Sequence, residues 1–203
     1  TSYSNLKLID SINKVEELMD YAYELGLKAV AITDHDCLTS HVRALNYYNK
    51  KYKDKDFKLI LGNEIYITRE GLTAETLEAG EKFYHCILLA KDEIGHRQLR
   101  ELSSRAWTRG YVKFIMRTPT YLSDIDEIVS ANPGHLVCTT ACLGGMTGTF
   151  FTTGQYERIS PILSALQGLF GDDFFIELQP SHMKDQLEYN AYMVENYKDE
   201  YNF

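Results

Sequence analysis

Positive charge is scarce in this chain: 21 lysines and arginines stand against 29 aspartates and glutamates over 203 residues, leaving a net charge of −8. That balance argues against a surface that holds nucleic acid by bulk electrostatics, and leaves room for acidic pockets that gather cations and, through them, phosphates. Cysteine is scarce too. The four, Cys37, Cys86, Cys138 and Cys142, show no CxxC spacing and no framework pattern, which fits a reduced, cytoplasmic chain rather than a disulfide scaffold. The longest apolar runs are strand-sized, so nothing is expected to span a membrane, and no charged segment followed by an apolar one marks a secretory signal. No Ser/Gly/Pro linker, internal repeat or low-complexity segment divides the chain, and 44% hydrophobic residues suffice for one sizeable core. The single tryptophan, Trp107, and the many tyrosines lack interleaved basic residues, so they read as core and interface rather than as a base-stacking platform.

What the chain does have is an alternation of helix and strand. The segment from Lys28 to Asp36, KAVAITDHD, is a run of small and β-branched residues that ends in Asp34, His35 and Asp36. Such a run reads as a strand covered on both faces, and parallel strands of this kind deliver function at their carboxyl ends. Before it, Asn13 is placed to cap a helix with an apolar stripe of Val15, Leu18, Ala22 and Leu25, ended by Gly26. Further strands are predicted from Leu59 to Ile67, Tyr84 to Ala90, His135 to Ala141 and Phe174 to Gln179. Helices are predicted from Leu38 to Tyr52, Asp92 to Arg105 with Ile94, Leu99 and Leu102 inward, Gln155 to Phe170 and Lys184 to Tyr197. Pro119 to Ile128 reads as less regular, and a Gly-rich turn follows Ala141. The repeated units imply an α/β fold with a parallel sheet, open or closed into a barrel.

Polar side chains punctuate those strands. Asp34 and His35 close the first, Glu64 sits inside LILGNEIYI, His85 opens YHCILLA, and Cys142 follows HLVCTTA. Each is a metal-ligating type in or beside a different strand, which is how a site is built at the mouth of a parallel barrel. A carboxylate among apolar β-formers, as Glu64 is, must be paired, protonated or coordinating to offset its desolvation. Taken singly, each has an ordinary reading: an Asx-type turn with a surface histidine, a lysine salt bridge for Glu64, a hydrogen-bonded core histidine for His85, a buried small hydrophobe for Cys142. Their recurrence favours a metal site. His41, His96 and His135 read as solvated, as do the lysines at 50, 51, 53, 55 and 58; His182, at a strand's carboxyl end, has no assigned role.

TDHD, GNEIY, FYHCILLAKDEIGHRQLRELSS, TTACLGG and FFIELQP occur in the order and at roughly the spacing of the PHP (polymerase and histidinol phosphatase) domain of bacterial DNA polymerase III alpha subunits. The opening YSNLKLIDSINKVEELMDYAYELGLKAVAITDHD is similar to the same family, so the resemblance covers essentially the whole chain. The block from His85 through ELSS to ACLGG resembles the polymerase branch more closely than the free-standing phosphatases.

The resemblance implies a distorted seven-stranded (β/α) barrel, of which residues 1–203 are most, holding up to three divalent metals, typically zinc, manganese, iron or magnesium. It implies Asp10, His35, Glu64, His85 and Cys142 as ligands, with Asp34, His35 and Glu64 as the catalytic group. Arg117, in FIMRTPTYLSD, is implied as a phosphate contact, with a surface ion pair as the other reading. The family's leading HxH pair is expected just before Thr1 and its closing DxH pair just beyond Phe203, so the chain is expected to be trimmed at both ends and inactive by itself. Divalent cations in such a site polarise a phosphoryl oxygen and acidify bound water, so the implied activity is metal-dependent phosphoester hydrolysis, as a 3′–5′ exonuclease, or structural support where turnover is lost. The implied parent is a cytoplasmic DNA polymerase whose partners are DNA, its own remaining domains and replisome subunits, with no membrane. A free-standing phosphoesterase of histidinol phosphatase type and a non-catalytic docking scaffold are the alternatives.

Overall fold

The computed structural model describes residues 13–73, 75–76, 82–110 and 117–203. In chain order the elements are α1 (Val15–Glu24), β1 (Ala29–His35), α2 (His41–Lys51), β2 (Lys58–Ile67), β3 (Tyr84–Ala90), α3 (Glu93–Thr108), α4 (Leu122–Ala131), β4 (Leu136–Thr139), α5 (Met146–Thr152), α6 (Ile159–Phe170), β5 (Phe174–Phe175) and α7 (Lys184–Tyr197). The fold is mixed α/β. Among the described residues its sheet has five strands in the order β1-β2-β3-β4-β5.

The sheet is not wholly parallel, and this corrects the sequence expectation. β1 pairs parallel with β2 and β4 with β5, but β3 runs antiparallel to both of its neighbours. Parallel neighbours need a crossover of a dozen or more residues, usually a helix, whereas antiparallel neighbours need only a loop. The described residues between Ile67 and Tyr84 contain no helix. Reversing this one strand brings its amino-terminal end, with His85, to the sheet edge where β1, β2 and β4 finish. The register there sets His35 opposite Glu64 and Tyr66 opposite His85.

Among the described residues two apolar clusters hold the sheet. The larger joins β2 to β5 with α3, α4, α6 and α7 through Leu88, Leu99, Leu102, Ile125, Phe174 and Tyr189, and the smaller packs α1 and α2 on β1 through Met19, Ile32, Ala44, Tyr52 and Phe57. On α3 the buried positions are Gly95, Gln98, Leu99, Leu102 and Ala106, a stripe at helical spacing that leaves Ile94 exposed rather than inward. A Cβ on Gly95 would lie 2.0 Å from the carbonyl oxygen of His135, so only glycine lets this helix approach the start of β4. Asp92 caps α3 by accepting the Gly95 N–H at 2.9 Å. At α1 the cap position is Lys14, without a side-chain cap bond, rather than Asn13, and Leu25 is exposed. The stretch expected to be irregular contains α4, whose Asp124 accepts the Tyr121 N–H, and the Gly-rich turn runs into α5.

Candidate functional site

Alternation along the strands puts His35, Glu64, Tyr66 and His85 on one face at that edge. Glu64 Oε1 lies 3.2 Å from His35 Nδ1, 3.2 Å from His85 Nδ1 and 3.0 Å from Tyr66 Oη. Tyr66 Oη is also 2.5 Å from His35 Nδ1. His85 Nδ1 stands 3.1 Å from Cys142 Sγ, which accepts the Gly144 N–H at 3.3 Å. His35, Glu64, His85 and Cys142 therefore form one continuous chain of contacts drawn from β1, β2, β3 and the turn after β4.

That turn is shaped around His85. A Cβ on Gly144 would meet the imidazole at 2.8 Å, and one on Gly145 would lie 2.2 Å from the Thr140 carbonyl oxygen. The His85 N–H donates to the Gly144 carbonyl at 3.0 Å, and the Gly145 N–H to the Cys142 carbonyl at 2.9 Å. ACLGG thus wraps the ring closely at Gly144, while the approach of backbone to backbone excludes a side chain at Gly145.

Burial and neighbouring charge shift these groups in different directions. Burial acts to raise Glu64, but the hydrogen bond and charge of His35, the charge of His85 and the Tyr66 hydroxyl outweigh it, and the carboxyl is held below its ordinary value. Burial pushes His85 down against the pull of Glu64, and Arg117 and His35 add to the effect. Burial raises the Cys142 thiol, opposed by the Gly144 N–H and reinforced by Glu64 and Glu177. Burial and Glu64 also raise Tyr66 strongly, which keeps its O–H as a donor. Glu64 is thus held below its ordinary value between two histidines, one of them, His85, also lowered, and the Cys142 thiol beside them is held above its own.

Other expected residues lie elsewhere. Asp34 is register partner to Asn63 on the opposite face of the sheet, fully buried, with Oδ2 accepting the Ser40 N–H at 2.7 Å and Oδ1 without a hydrogen bond among the described residues. It does not join Glu64. Arg117 does approach the cluster: its guanidinium lies 4.1 Å from the Tyr66 ring centroid and its Nη1 3.8 Å from Asp36 Oδ2. Asp10 lies outside the described residues. His41, expected to be solvated, is buried, with Nε2 2.9 Å from the Gly62 carbonyl oxygen and Nδ1 3.0 Å from His96 Nε2.

Tyr66 joins the cluster and Asp36, with Thr118, lies beside it through Arg117, though none of the three was expected as a ligand, catalytic or substrate-binding residue. Tyr66 had a signal, since it stands two residues after Glu64 in a strand and so shares its face. Asp36 adopts φ 60° and accepts both the N–H and the hydroxyl of Thr118, at 2.8 and 3.0 Å. Burial pushes its carboxyl up to about 6 against those bonds and Arg117. The two residues are 82 positions apart, beyond the reach of any local pattern.

Among the described residues no group of three or more His, Cys, Asp or Glu side chains is arranged to hold a metal ion. The donor chemistry nevertheless fits one. Two imidazoles, a carboxylate and a thiol linked in one chain of contacts are the donor set of zinc, manganese or iron rather than of an all-oxygen calcium cage.

Comparison with known proteins gives a family to this mixed α/β sheet with histidine, carboxylate and thiol side chains gathered at one edge. The PHP domain family matches residues 1–181, and the chain belongs to that family. It is 37% identical over 217 residues to the DNA-directed DNA polymerase of Bacillus phage SPbeta, covering 96% of this chain and 17% of that protein. It is 30% identical to the DNA polymerase III subunit alpha of Borreliella burgdorferi and 28% identical to that of Treponema pallidum, each covering 95% of this chain and 16% of the relative. The chain spans about a sixth of the length of these curated relatives and is homologous to the PHP region of DNA polymerase III alpha subunits. No helix among the described residues is long and apolar enough to cross a membrane.

Proposed function

We propose that residues 1–203 belong to one PHP domain of a replicative DNA polymerase of the DNA polymerase III alpha type, and that the cluster at the strand ends is a metal-dependent phosphoesterase centre acting as a 3′–5′ exonuclease. The observation that carries this reading is the sharing of Glu64 Oε1 between His35 and His85, each at 3.2 Å. The relatives' shares of matched length, 16% and 17%, favour a polymerase parent over a free-standing phosphatase. In this reading the sheet is part of a seven-stranded (β/α) barrel, the protein works in the cytoplasm, and DNA, the other polymerase domains and replisome subunits are its partners.

His35, Glu64, His85 and Cys142, with Asp10, would hold up to three divalent ions, zinc, manganese, iron or magnesium. Bound there, such ions polarise a phosphoryl oxygen and bring the pKa of water toward neutrality. The chain's own residues do the rest. The O–H of Tyr66 fixes the Glu64 carboxylate and keeps it from turning away from the histidines. Arg117, stacked on Tyr66, orients a phosphate by charge, with Asp36 setting its position. Asp34 acts at a distance, its carboxylate anchoring the Ser40 N–H and so the turn that leaves His35.

The lack of a ready three-ligand group among the described residues favours a second reading, in which the domain supports the polymerase without turnover. Elemental analysis of the chain purified without chelators, followed by hydrolysis of end-labelled single-stranded DNA by a polymerase carrying this domain, separates the two. Bound transition metal together with chelator-sensitive shortening from the 3′ end is the expected result. Metal below about a tenth of an equivalent, with no shortening, would overturn the enzymatic reading.

A further inference from the structure

We infer that Glu177 is a positioning residue for Cys142, holding the strained turn that delivers the thiol to His85. The inference rests on the reading of Cys142 as a member of the metal site. Ala141, immediately before Cys142, has φ 57°, in the left-handed region that costs any L-residue with a Cβ. Such a conformation persists only where its surroundings impose it.

The imposing contacts come from the segment after β5. The Thr139 hydroxyl donates to Glu177 Oε2 at 2.6 Å and accepts the Ala141 N–H at 3.3 Å, so one hydroxyl ties the strained residue to the carboxylate. The Glu177 N–H in turn donates to Thr140 Oγ1 at 3.0 Å, and the Thr140 N–H to the Phe175 carbonyl at 3.2 Å. The second carboxylate oxygen of Glu177 is fixed as well, accepting from Gln179 Nε2 at 2.8 Å. Both sides of Ala141 are then determined: Thr139 and Thr140 are laced to the β5 segment, and Cys142 is placed 3.1 Å from His85 Nδ1. Without the carboxylate, the Thr139 hydroxyl is free to rotate, Ala141 relaxes toward an ordinary conformation, and the thiol leaves the imidazole.

The test reads the thiol in metal-free protein. Cys86 and Cys138 are buried, so in a Cys37→Ser background Cys142 is the accessible thiol. Its rate of alkylation by iodoacetamide in the presence of chelator is compared across variants. Glu177→Ala and Thr139→Val are each expected to raise the rate about fivefold or more, and the double variant to go no further than either single one. Glu177→Gln, which keeps an acceptor for Thr139 but not the charge, is expected to stay near the parent rate. An unchanged rate in Glu177→Ala and Thr139→Val would overturn the inference, as would a Gln variant that behaves like Ala, since charge rather than the hydrogen bond would then be at work. Should Glu177→Ala fail to fold, Thr139→Val reports the same link from its other end. Because no metal is present, the outcome is independent of whether the site binds one, which elemental analysis of the parent chain decides.

Discussion

Glu64 and His85 meet diagonally across an antiparallel pair: Oε1 and Nδ1 are 3.2 Å apart, although the register sets Glu64 against Ile87 and His85 against Tyr66. His35, by contrast, is the direct parallel partner of Glu64. One carboxylate oxygen is therefore shared between a neighbour straight across on one side and a diagonal neighbour on the other, both within reach on the same sheet face. Had β3 run parallel to β2, its opening histidine would lie at the far edge. The reversal of that strand is what assembles the cluster.

Replacing Glu64 by Gln should keep the shape of the site, because the amide retains an oxygen for Tyr66, while removing the charge that both histidines face. Metal affinity should fall at least about tenfold with little change in melting temperature. Titration with zinc and with manganese, read by calorimetry, checks this. Equal affinity in the two proteins would mean that the carboxylate is structural only.

Two glycines should respond in opposite senses to alanine. At Gly144 a Cβ would press on the His85 ring at 2.8 Å, so Gly144→Ala should destabilise by about 1–3 kcal/mol through overpacking and move the His85 imidazole resonances. Gly168, exposed in α6 with nothing within 4 Å of an added Cβ, should gain about 0.5–1 kcal/mol as alanine by losing unfolded-state freedom and gaining helix propensity. Denaturant unfolding of both variants gives the comparison, and a stabilised Gly144→Ala would contradict the close wrapping of the histidine.

Acid should weaken the fold in part through His41. Burial lowers its pKa, with His96 adding to the effect and the Gly62 and Ile32 carbonyls and Asp34 opposing it, and burial with Arg100 lowers His96. Below an unfolded value of 6.5 the unfolded chain then binds more protons than the folded one, so this stabilisation is complete above that pH and is lost as pH falls. His85 contributes with the same sign, whereas Asp36, raised to about 6, works the other way and stabilises most at low pH. Unfolding free energy measured from neutral to mildly acidic pH should decline in the parent and decline less steeply in His41→Phe. An unaltered slope would mean that His41 is not held neutral.

Much of this was legible from residue pattern alone. The bounds of β3 and α7 follow directly from apolar runs and helical spacing, Tyr84–Ala90 and Lys184–Tyr197. His35, Glu64, His85 and Cys142 stood out because polar ligand types interrupt apolar strands. Strand direction did not, since an apolar run reads the same whichever way the chain traverses the sheet. Asp34 and His35 looked equivalent in sequence, yet adjacent strand residues face opposite sides, and only the register with Asn63 and Glu64 separates them. His41 resembled a helix-surface histidine because its partners, the Gly62 carbonyl and His96, come from β2 and α3. Long-range partners of that kind leave no local trace.

The two strand-end cysteines should behave oppositely when replaced by serine. Cys138 is fully buried on β4, its Sγ 3.6 Å from that of Cys86, and a hydroxyl there loses an apolar environment without gaining a good partner. Cys138→Ser should therefore destabilise by about 1–3 kcal/mol and leave metal binding unchanged. Cys142 is half-buried beside His85 and accepts the Gly144 N–H, a bond that a serine oxygen can also accept. Cys142→Ser should fold normally but exchange a soft thiolate for a hard oxygen, so zinc affinity should drop by about tenfold or more while manganese affinity changes less. Competition between the two metals, followed by elemental analysis, reads the selectivity directly. A Cys142→Ser protein that keeps the parent's relative affinity for zinc and manganese would remove the thiol from the ligand set and leave the centre to the carboxylate and the two histidines.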